Sequence, residues 1–270
     1  MSFEPNGIVT LTTDFGSRDG YVGAMKGAML SAAPGVRLID IAHDLPAQGI
    51  VAAAMALRAA CPRFPVGTVH LAVIDPGVGT ERAAIVARAG GHAFVGPDNG
   101  LLMPALLALG GPIDAWRIAE HRYLDHHRSA TFHGRDLFGP TAAALAAGNL
   151  RIVTVGEPVT PVSLLLPQPR PVEGGLEAVV TTVDRFGNLV TCASEADLAT
   201  LTGDGELHAE LTDGRSLRFV RTYGEANPGE TVALIGSDGD LEIAVRNGSA
   251  AANLGLGPGD SIRLSKGRCD

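Results

Sequence analysis

Two patterns of apolar positions alternate along the first part of the chain, from residue 7 to about residue 155. Short runs rich in β-branched residues, typical of buried strands, occur at residues 7–14, 36–42, 68–74 and 83–87. Alanine-rich stretches of helical length occur at residues 21–33, 49–60, 99–109 and 137–147. Strands that alternate with helices predict a mostly parallel sheet covered on both faces, so we expect an α/β fold with a three-layer, Rossmann-like domain.

The pattern changes after a proline-rich stretch. Residues 160–175 contain four prolines and show little periodicity, as expected for a semi-rigid connector. Short runs with β-propensity then follow at residues 176–183, 188–193, 206–211, 231–235, 241–245 and 261–265. Regular turns between such runs predict a smaller all-β domain, a barrel or a sandwich. We therefore expect an α/β domain at residues 1–160, a linker at 161–171 and a β domain at 172–270.

The composition restricts the class of protein. With 270 residues, 46% of them hydrophobic, the chain can bury a large core. A net charge of −8 argues against binding to nucleic acid or an anionic membrane and favours a cationic or zwitterionic small molecule. Three widely spaced cysteines indicate neither a disulfide framework nor a zinc ribbon, and they favour the cytoplasm. We recognise no signal peptide and no apolar run long enough to span a bilayer.

Ionisable side chains follow the third predicted strand. Asp75 comes directly after the run at 68–74 and opens a glycine-containing segment that also carries Arg82. Ligands of open α/β sheets bind at the carboxyl ends of strands, which places Asp75 where chemistry commonly occurs. Alternatively, Asp75 stabilises a Pro-Gly turn and Arg82 is a solvated charge. These residues alone leave both interpretations open.

Asp14 and His133 are further candidates. Asp14 closes the first predicted strand, where its carboxylate could accept hydrogen bonds from two ribose hydroxyls or cap the following helix. His133 precedes a predicted helix, where a neutral imidazole could accept a proton or hold a water, or only cap the helix or fill the core.

Motifs for phosphate and metal binding are missing from the sequence. No Gly-x-Gly-x-x-Gly follows the first strand and no Walker-type sequence occurs, so we expect a ligand without phosphates. The Asp-His-His segment at 125–127 lacks partner ligands at helical spacing, so we expect no metal site.

Two segments of the second predicted domain carry polar and aromatic side chains. Asp184, Phe186 and Asn188 lie between two predicted strands, and together they could recognise an ammonium, a purine ring and a ring nitrogen or hydroxyl. Residues 236–247 form a polar turn that opens into a strand. Taken singly, each segment is also typical of an ordinary turn.

Ordered motifs run through the chain at residues 13–16, 19–23, 75–82, 96–100, 131–140, 184–188 and 236–245. In these motifs the chain resembles the S-adenosyl-L-methionine hydrolases, also called S-adenosyl-L-methionine hydroxide adenosyltransferases, which are relatives of the fluorinases and chlorinases. The resemblance implies attack of water on the ribose C5′ of S-adenosyl-L-methionine, releasing adenosine and L-methionine without a cofactor or metal. It also implies a homotrimer, in which the first domain of one subunit and the second domain of its neighbour share each site.

The resemblance further implies roles for individual side chains. The set that orients or deprotonates a water would be Asp75, Arg82 and His133. Asp14 would hold the ribose, and Asp19 and Asp184 would meet the methionine end. The remaining residues expected to bind substrate, mainly around the adenine, are Phe186, Asn188, Ser237, Glu242 and Val245. The chain departs from many family members at Arg246, where they have asparagine, and this leaves the local adenine geometry open.

Other functions remain as alternatives. A halogenase would use chloride or fluoride in place of water, but halide-using relatives typically lack the Asp, Arg and His set and carry an additional loop in the first domain. A non-catalytic module that binds adenosine or S-adenosyl-L-methionine would not need that set. A metal-dependent phosphohydrolase is disfavoured because spaced histidine and carboxylate ligands are missing.

Overall fold

The computed structural model describes residues 3–119, 129–201 and 205–266. These residues divide into two compact units that meet in sequence between Leu164 and Leu165. This junction lies within residues 161–171, the predicted linker. The exact limits predicted for the two domains stay predictions. Within the described ranges, no helix combines the length and the hydrophobicity that crossing a membrane requires.

The first unit is built on a seven-stranded sheet among the described residues. Its strands are β1 (Ile8–Thr13), β2 (Arg37–Ala42), β3 (Val69–Val73), β4 (Ala84–Ala89), β5 (His92–Pro97), β6 (Asp114–Arg117) and β7 (Pro158–Val159). They are ordered β2-β1-β3-β5-β4-β6-β7. The first four strands of this order are parallel to one another, whereas β4, β6 and β7 join by antiparallel pairing. Only β4 and β7 therefore run against the common direction, which confirms a mostly parallel sheet.

Helices cover both faces of this sheet, as predicted. They are α1 (Tyr21–Ala32), α2 (Ile50–Ala60), α3 (Met103–Leu109) and α4 (Gly139–Ala146). Val9 and Leu11 of β1 pack into one core with α1 and α4, while Ala72 and Ile74 pack into a second core with α2 and α3. Alternate residues of the central strands thus point to opposite faces, and burying a side chain such as Leu11 stabilises the unit by about 1.5–3 kcal/mol.

The sequence pattern does not predict β5, β6 or the two-residue strand β7. Gly90 and Gly91 form a two-residue connection in which both φ values are positive, at +55° and +84°, and Ala89 pairs with His92 across it. A Gly-Gly loop of this kind is typical of a hairpin, because both positions favour glycine. The hairpin signal is therefore present in the sequence, and it accounts for the reversed direction of β4.

The parallel strands bring two candidate residues to the same edge. β1 and β3 are neighbours, and Thr13 pairs with Val73 at their carboxyl ends. Asp14 follows β1 directly, and Asp75 follows β3 after one residue. Both carboxylates consequently follow neighbouring strands at the same edge of the sheet, where ligands of open α/β sheets bind.

The second unit is an antiparallel sheet that nearly closes on itself. Its described strands are β8 (Arg170–Val172), β9 (Gly175–Val183), β10 (Leu189–Ser194), β11 (Leu207–Leu211), β12 (Ser216–Arg218), β13 (Thr231–Ile235), β14 (Asp240–Val245) and β15 (Ser261–Lys266). They are ordered β12-β11-β15-β9-β10-β14-β13, with β8 paired to β9. A bridge from Phe219 to Ala233 links the two ends of this order. The expected all-β fold of this unit is therefore confirmed, with two short helices, α5 (Glu195–Leu198) and α6 (Ala250–Leu254), as additions. The sequence pattern predicts neither β12 nor β8, and β8 begins inside the stretch expected to be a connector without further elements.

Candidate active site

Asp75, Arg82 and His133 form one cluster in the first unit. The Arg82 Nε donates to both carboxylate oxygens of Asp75, at 2.9 and 3.1 Å, and Nη2 donates to Asp75 Oδ2 at 2.5 Å. The same Nη2 lies 2.6 Å from His133 Nδ1. Only 10% of the Arg82 side chain and 6% of the Asp75 side chain are exposed, so solvent screens this ion pair poorly. Phe138 packs under the guanidinium, with its ring centroid 5.0 Å from Cζ.

The contact with Arg82 determines which nitrogen of His133 carries a hydrogen. Arginine is always protonated and has only donors, so Nδ1 must accept from Nη2. In a neutral ring the hydrogen then lies on Nε2, which can donate to a water but cannot accept its proton. The arrangement therefore favours a water-holding His133 over a proton-accepting one. The capping alternative is excluded, because the His133 side chain caps no backbone N–H of the π-helical turn Gly134–Phe138 that follows it.

A cleft of about 300 Å³ lies beside this cluster. Asp14, Asp75 and His133 line it, together with backbone and side chains of the segment from Thr131 to Gly134. Asp14 does not cap α1, whose first turn receives no side-chain hydrogen bond. Its Oδ2 instead accepts from the backbone N–H of Gln48 at 2.7 Å. Three candidates, Asp14, Asp75 and His133, thus line one concave surface, and Arg82 contacts two of them.

Asp19 lies outside this cleft. It is exposed in the segment before α1 and lines none of the described cavities. The expectation that it meets the methionine end of the substrate stays a prediction.

The second unit contains a larger cavity of about 900 Å³. All six candidates predicted in this part of the chain line it: Asp184, Phe186, Asn188, Ser237, Glu242 and Val245. They come from the turn between β9 and β10 and from the β13–β14 hairpin, two segments that are brought together by the pairing of β10 with β14. The sequence motifs therefore converge on one surface within this unit.

Asp184 organises the turn that carries Phe186 and Asn188. Its Oδ1 accepts from the backbone N–H groups of both residues at 2.8 Å, and its Oδ2 accepts from the Asn188 side chain at 2.9 Å. Both carboxylate oxygens thus shape the loop, which is the ordinary turn role that the sequence left open. The same bonds hold the Asn188 amide in a buried position at the cavity.

Sequence reasoning missed two residues that line this cavity, Arg221 and Tyr223. The Tyr223 hydroxyl donates to Glu242 Oε2 at 2.7 Å. Burial raises the pKa of Glu242 above its usual range and, with Glu242 nearby, raises that of Tyr223 as well. No spacing along the chain signals Tyr223, because its contact with Glu242 spans nineteen residues.

Arg246 also lines this cavity. Its Nη1 donates to the backbone carbonyls of Gly224 and Ala226, at 3.2 and 2.5 Å. The guanidinium therefore ties down the loop that carries Tyr223. Many family members have asparagine at this position, and in this chain the arginine side chain contacts backbone carbonyls beside the cavity.

No metal-binding arrangement occurs in the described part of the chain, where no three His, Cys, Asp or Glu side chains gather suitably. The segment at 125–127 lies outside the described residues.

Two family models cover most of the chain. The N-terminal domain model of the SAM hydroxide adenosyltransferases matches residues 9–156, and the C-terminal domain model matches residues 178–263. The protein belongs to this family. In agreement, the chain is 41% identical to an (R)-S-adenosyl-L-methionine hydrolase of Salinispora tropica, over 97% of this chain and 99% of that protein. A hydrolase of the same name from Thermus thermophilus is 42% identical, over 95% of this chain and 98% of that one.

The chain is also similar to a more distant relative and to a solved structure. A fluorinase of an Actinoplanes species is 28% identical over 98% of this chain and 100% of its own. A crystal structure of an uncharacterized conserved protein from Thermotoga maritima matches with a TM-score of 0.87 and 33% identity, over 95% of this chain and 99% of that one. This member of the SAM hydroxide adenosyltransferase family is thus more similar to the hydrolases above than to this fluorinase.

Proposed function

We propose that this protein hydrolyses S-adenosyl-L-methionine to adenosine and L-methionine. The observation that carries the proposal is the contact of Arg82 with both Asp75 and His133, beside Asp14 in the cleft. A halogenase that excludes water, or a protein that only binds a nucleoside, would not need this buried cluster of acid, cation and imidazole. The membership in the family and the names of the hydrolases that the chain resembles support the same reaction.

The chemistry needs little beyond an aligned water. The oxygen of water forms a bond to C5′ as the C5′–S bond breaks, and the electron pair of that bond goes to sulfur. The leaving group is a neutral thioether, so no general acid is required. We propose accordingly that neither a metal nor a cofactor takes part.

The geometry suggests a division of roles in the cluster. His133 donates from Nε2 to the water and holds it. Asp75 is the member with lone pairs left to accept the proton, because each carboxylate oxygen can accept more than one hydrogen bond. Arg82 fixes both partners and stabilises the negative charge that develops on the water oxygen. Alignment of the water behind C5′ contributes through proximity.

The remaining candidates bind the substrate in this proposal. Asp14 accepts hydrogen bonds from the ribose hydroxyls, and Phe186 and Asn188 contact the adenine with the segment from Ser237 to Val245. Asp184 and Asp19 contact the methionine end.

The functional assembly in this proposal is a homotrimer. Light scattering on the purified protein would test this by measuring the mass of the assembly.

The deciding experiment is turnover in ¹⁸O-labelled water. The purified chain is incubated with each sulfonium epimer of S-adenosyl-L-methionine, since the relatives carry the R configuration in their names. Chromatography with mass spectrometry should show equal amounts of adenosine and methionine, with the label in the 5′-hydroxyl of adenosine. Intact substrate from both epimers, or label in another product, would contradict the proposal.

The same assay separates the alternatives. With chloride or fluoride present, a halogenase would form 5′-halo-5′-deoxyadenosine, which we do not expect here. A non-catalytic module would bind the substrate tightly and leave it intact through long incubation.

A further inference from the structure

His43 directly follows β2 and does not line the cleft, and the reaction proposed above gives it no role. Its side chain is only 10% exposed. The ring contacts the end of β1, where Thr13 Oγ1 lies 2.8 Å from His43 Nδ1. The residue after Thr13 is Asp14, which lines the cleft.

The groups around Thr13 and His43 favour one direction for this contact, in which Thr13 donates to His43. The backbone N–H of Phe15 donates to Thr13 Oγ1 at 3.3 Å. The hydroxyl hydrogen of Thr13 can then point to His43 Nδ1, which accepts it. With Nδ1 as the acceptor, a ring hydrogen lies on Nε2, which is 3.1 Å from Asp40 Oδ1. This last contact is electrostatic, since Nε2 is buried without an aligned hydrogen bond.

The loop after β2 holds the loop after β1 at further points. The backbone N–H of Gly16 donates to the carbonyl of His43 at 2.8 Å, and the backbone N–H of Ser17 donates to Asp44 Oδ1 at 2.9 Å. The segment that carries Asp14 and Phe15 is thereby fastened on both sides. Asp40 is in turn held by Lys26 of α1 at 2.7 Å, and the Lys26 and His43 contacts lower the pKa of Asp40 against the opposing effect of burial.

We propose that His43 is a positioning residue, which sets Asp14 and Phe15 in the cleft through its contact with Thr13. The inference rests on the proposed function. A displaced Asp14 would lose hydrogen bonds to the ribose, so the effect should appear in the binding of adenosine and in KM. The water-holding cluster lies on other segments of the unit, so turnover at saturating substrate should change less.

The test compares His43→Leu with His43→Asn, whose amide oxygen can take the place of Nδ1 as the acceptor. By calorimetry, His43→Leu should weaken adenosine binding by about tenfold, the loss expected when a buried hydrogen bond is broken and its partner is left unsatisfied. His43→Asn should restore most of the affinity. kcat should stay within about threefold of the original value in both variants. Matching affinities in His43→Leu and the original protein would overturn the inference.

Further variants separate positioning from general destabilisation. Thr13→Val should weaken adenosine binding as His43→Leu does, and the double variant should lose no more than either single one, because both remove the same bond. Thr13→Ser should keep the affinity.

His92→Leu is the control for general destabilisation. It also removes a buried histidine of this unit, but His92 contacts His70 and does not line the cleft. This variant should lower the melting temperature without changing the affinity for adenosine. Additive losses from Thr13→Val and His43→Leu, or equal losses of affinity from His92→Leu and His43→Leu, would overturn the inference.

Measurements on the original protein distinguish a failure of the positioning role from a failure of the proposed function. If it cleaves the substrate and His43→Leu binds adenosine equally well, only the positioning role fails. If it neither binds adenosine nor cleaves the substrate, the proposed function fails and the positioning role fails with it.

Discussion

Arg82 contacts two partners with one guanidinium group, and this geometry needs its planar fork. Two of its nitrogens donate to Asp75, and one of these also donates to His133. A lysine at this position could not maintain that arrangement, because an ammonium is a single point of charge. The residue therefore acts as a bridge between the carboxylate and the imidazole.

We predict that Arg82→Lys lowers kcat by roughly 100-fold, the loss typical of removing one donor that stabilises developing negative charge. Adenosine binding should change much less. The measurement is adenosine release at saturating substrate, followed by chromatography.

Arg88→Lys provides a matched control for this variant. Arg88 also pairs with a carboxylate, Asp114, and lies over an aromatic ring, Trp116, but its carboxylate partner does not line the cleft, whereas Asp75 does. Its replacement should leave kcat unchanged. Equal turnover in Arg82→Lys and Arg88→Lys would show that the Arg82 fork does not serve the reaction.

Asp14 gives a second prediction at this scale. Asp14→Asn should weaken adenosine binding by about tenfold, because the amide oxygen accepts fewer and weaker hydrogen bonds than a carboxylate. The loss should be smaller for 2′-deoxyadenosine, which lacks one of the hydroxyls. Asp98→Asn is the control, since Asp98 likewise accepts from a backbone N–H but lies outside the cleft. An identical loss for both nucleosides would argue against a ribose contact.

At the scale of elements, the turn between β9 and β10 combines backbone geometry with a close neighbour. Gly187 has a φ of +83°, and a Cβ added there would lie 2.1 Å from Ser249 Oγ and 2.6 Å from Ser249 Cβ. Ser249 is the N-cap of α6, so it cannot move without disturbing that helix. Glycine is therefore required for two independent reasons.

We predict that Gly187→Ala destabilises the second unit by roughly 2–5 kcal/mol, the sum of a left-handed backbone and an overpacked contact. Gly239→Ala separates these causes, because Gly239 has the same φ of +83° but nothing within 4 Å of an added Cβ. It should cost only about 1–2 kcal/mol. Urea unfolding followed by circular dichroism measures both, and equal midpoints would contradict the packing argument.

At the scale of the whole molecule, the first unit buries two histidines that do not line the cleft, His70 and His92. His70 bridges Thr10 and His92, with contacts of 2.8 and 3.1 Å, and has no exposed surface. Burial, with a smaller effect of His92, lowers the pKa of His70 from 6.5 to about 3, and burial also lowers the pKa of His92. The native state therefore holds both rings neutral while the unfolded chain binds protons.

We predict that the first unit loses stability as the pH falls below about 6.5, by up to roughly 1.4 kcal/mol per pH unit for His70 alone. The stability that depends on these rings is complete above pH 6.5, and the loss for His70 continues to about pH 3. Fluorescence of the one tryptophan, Trp116 in β6, reports urea unfolding of this unit between pH 7 and 4.5.

His70→Gln should reduce the pH dependence, although it also lowers stability at pH 7. His208→Gln, at a partly exposed position in the second unit, is the control and should not change it. A pH dependence unaltered in His70→Gln would assign the acid sensitivity to other groups.

The amino-acid sequence by itself determined the four helices of the first unit and most strands, because their apolar periodicity is a property of neighbouring residues. It also placed Asp14 and Asp75 at strand ends and identified the motifs that carry Arg82 and His133. Glycines indicate turns in the same local way, and the Gly-Gly pair at 90–91 carries the signal of the β4–β5 hairpin.

Only the tertiary structure decided what these residues contact. The bond from Arg82 to His133, which assigns the hydrogen of the imidazole, joins positions 51 residues apart. The bond from Tyr223 to Glu242 and the exposure of Asp19 likewise left no mark on local patterns. Such contacts depend on how separate strands and loops pack, and a pattern read along the chain does not contain that information.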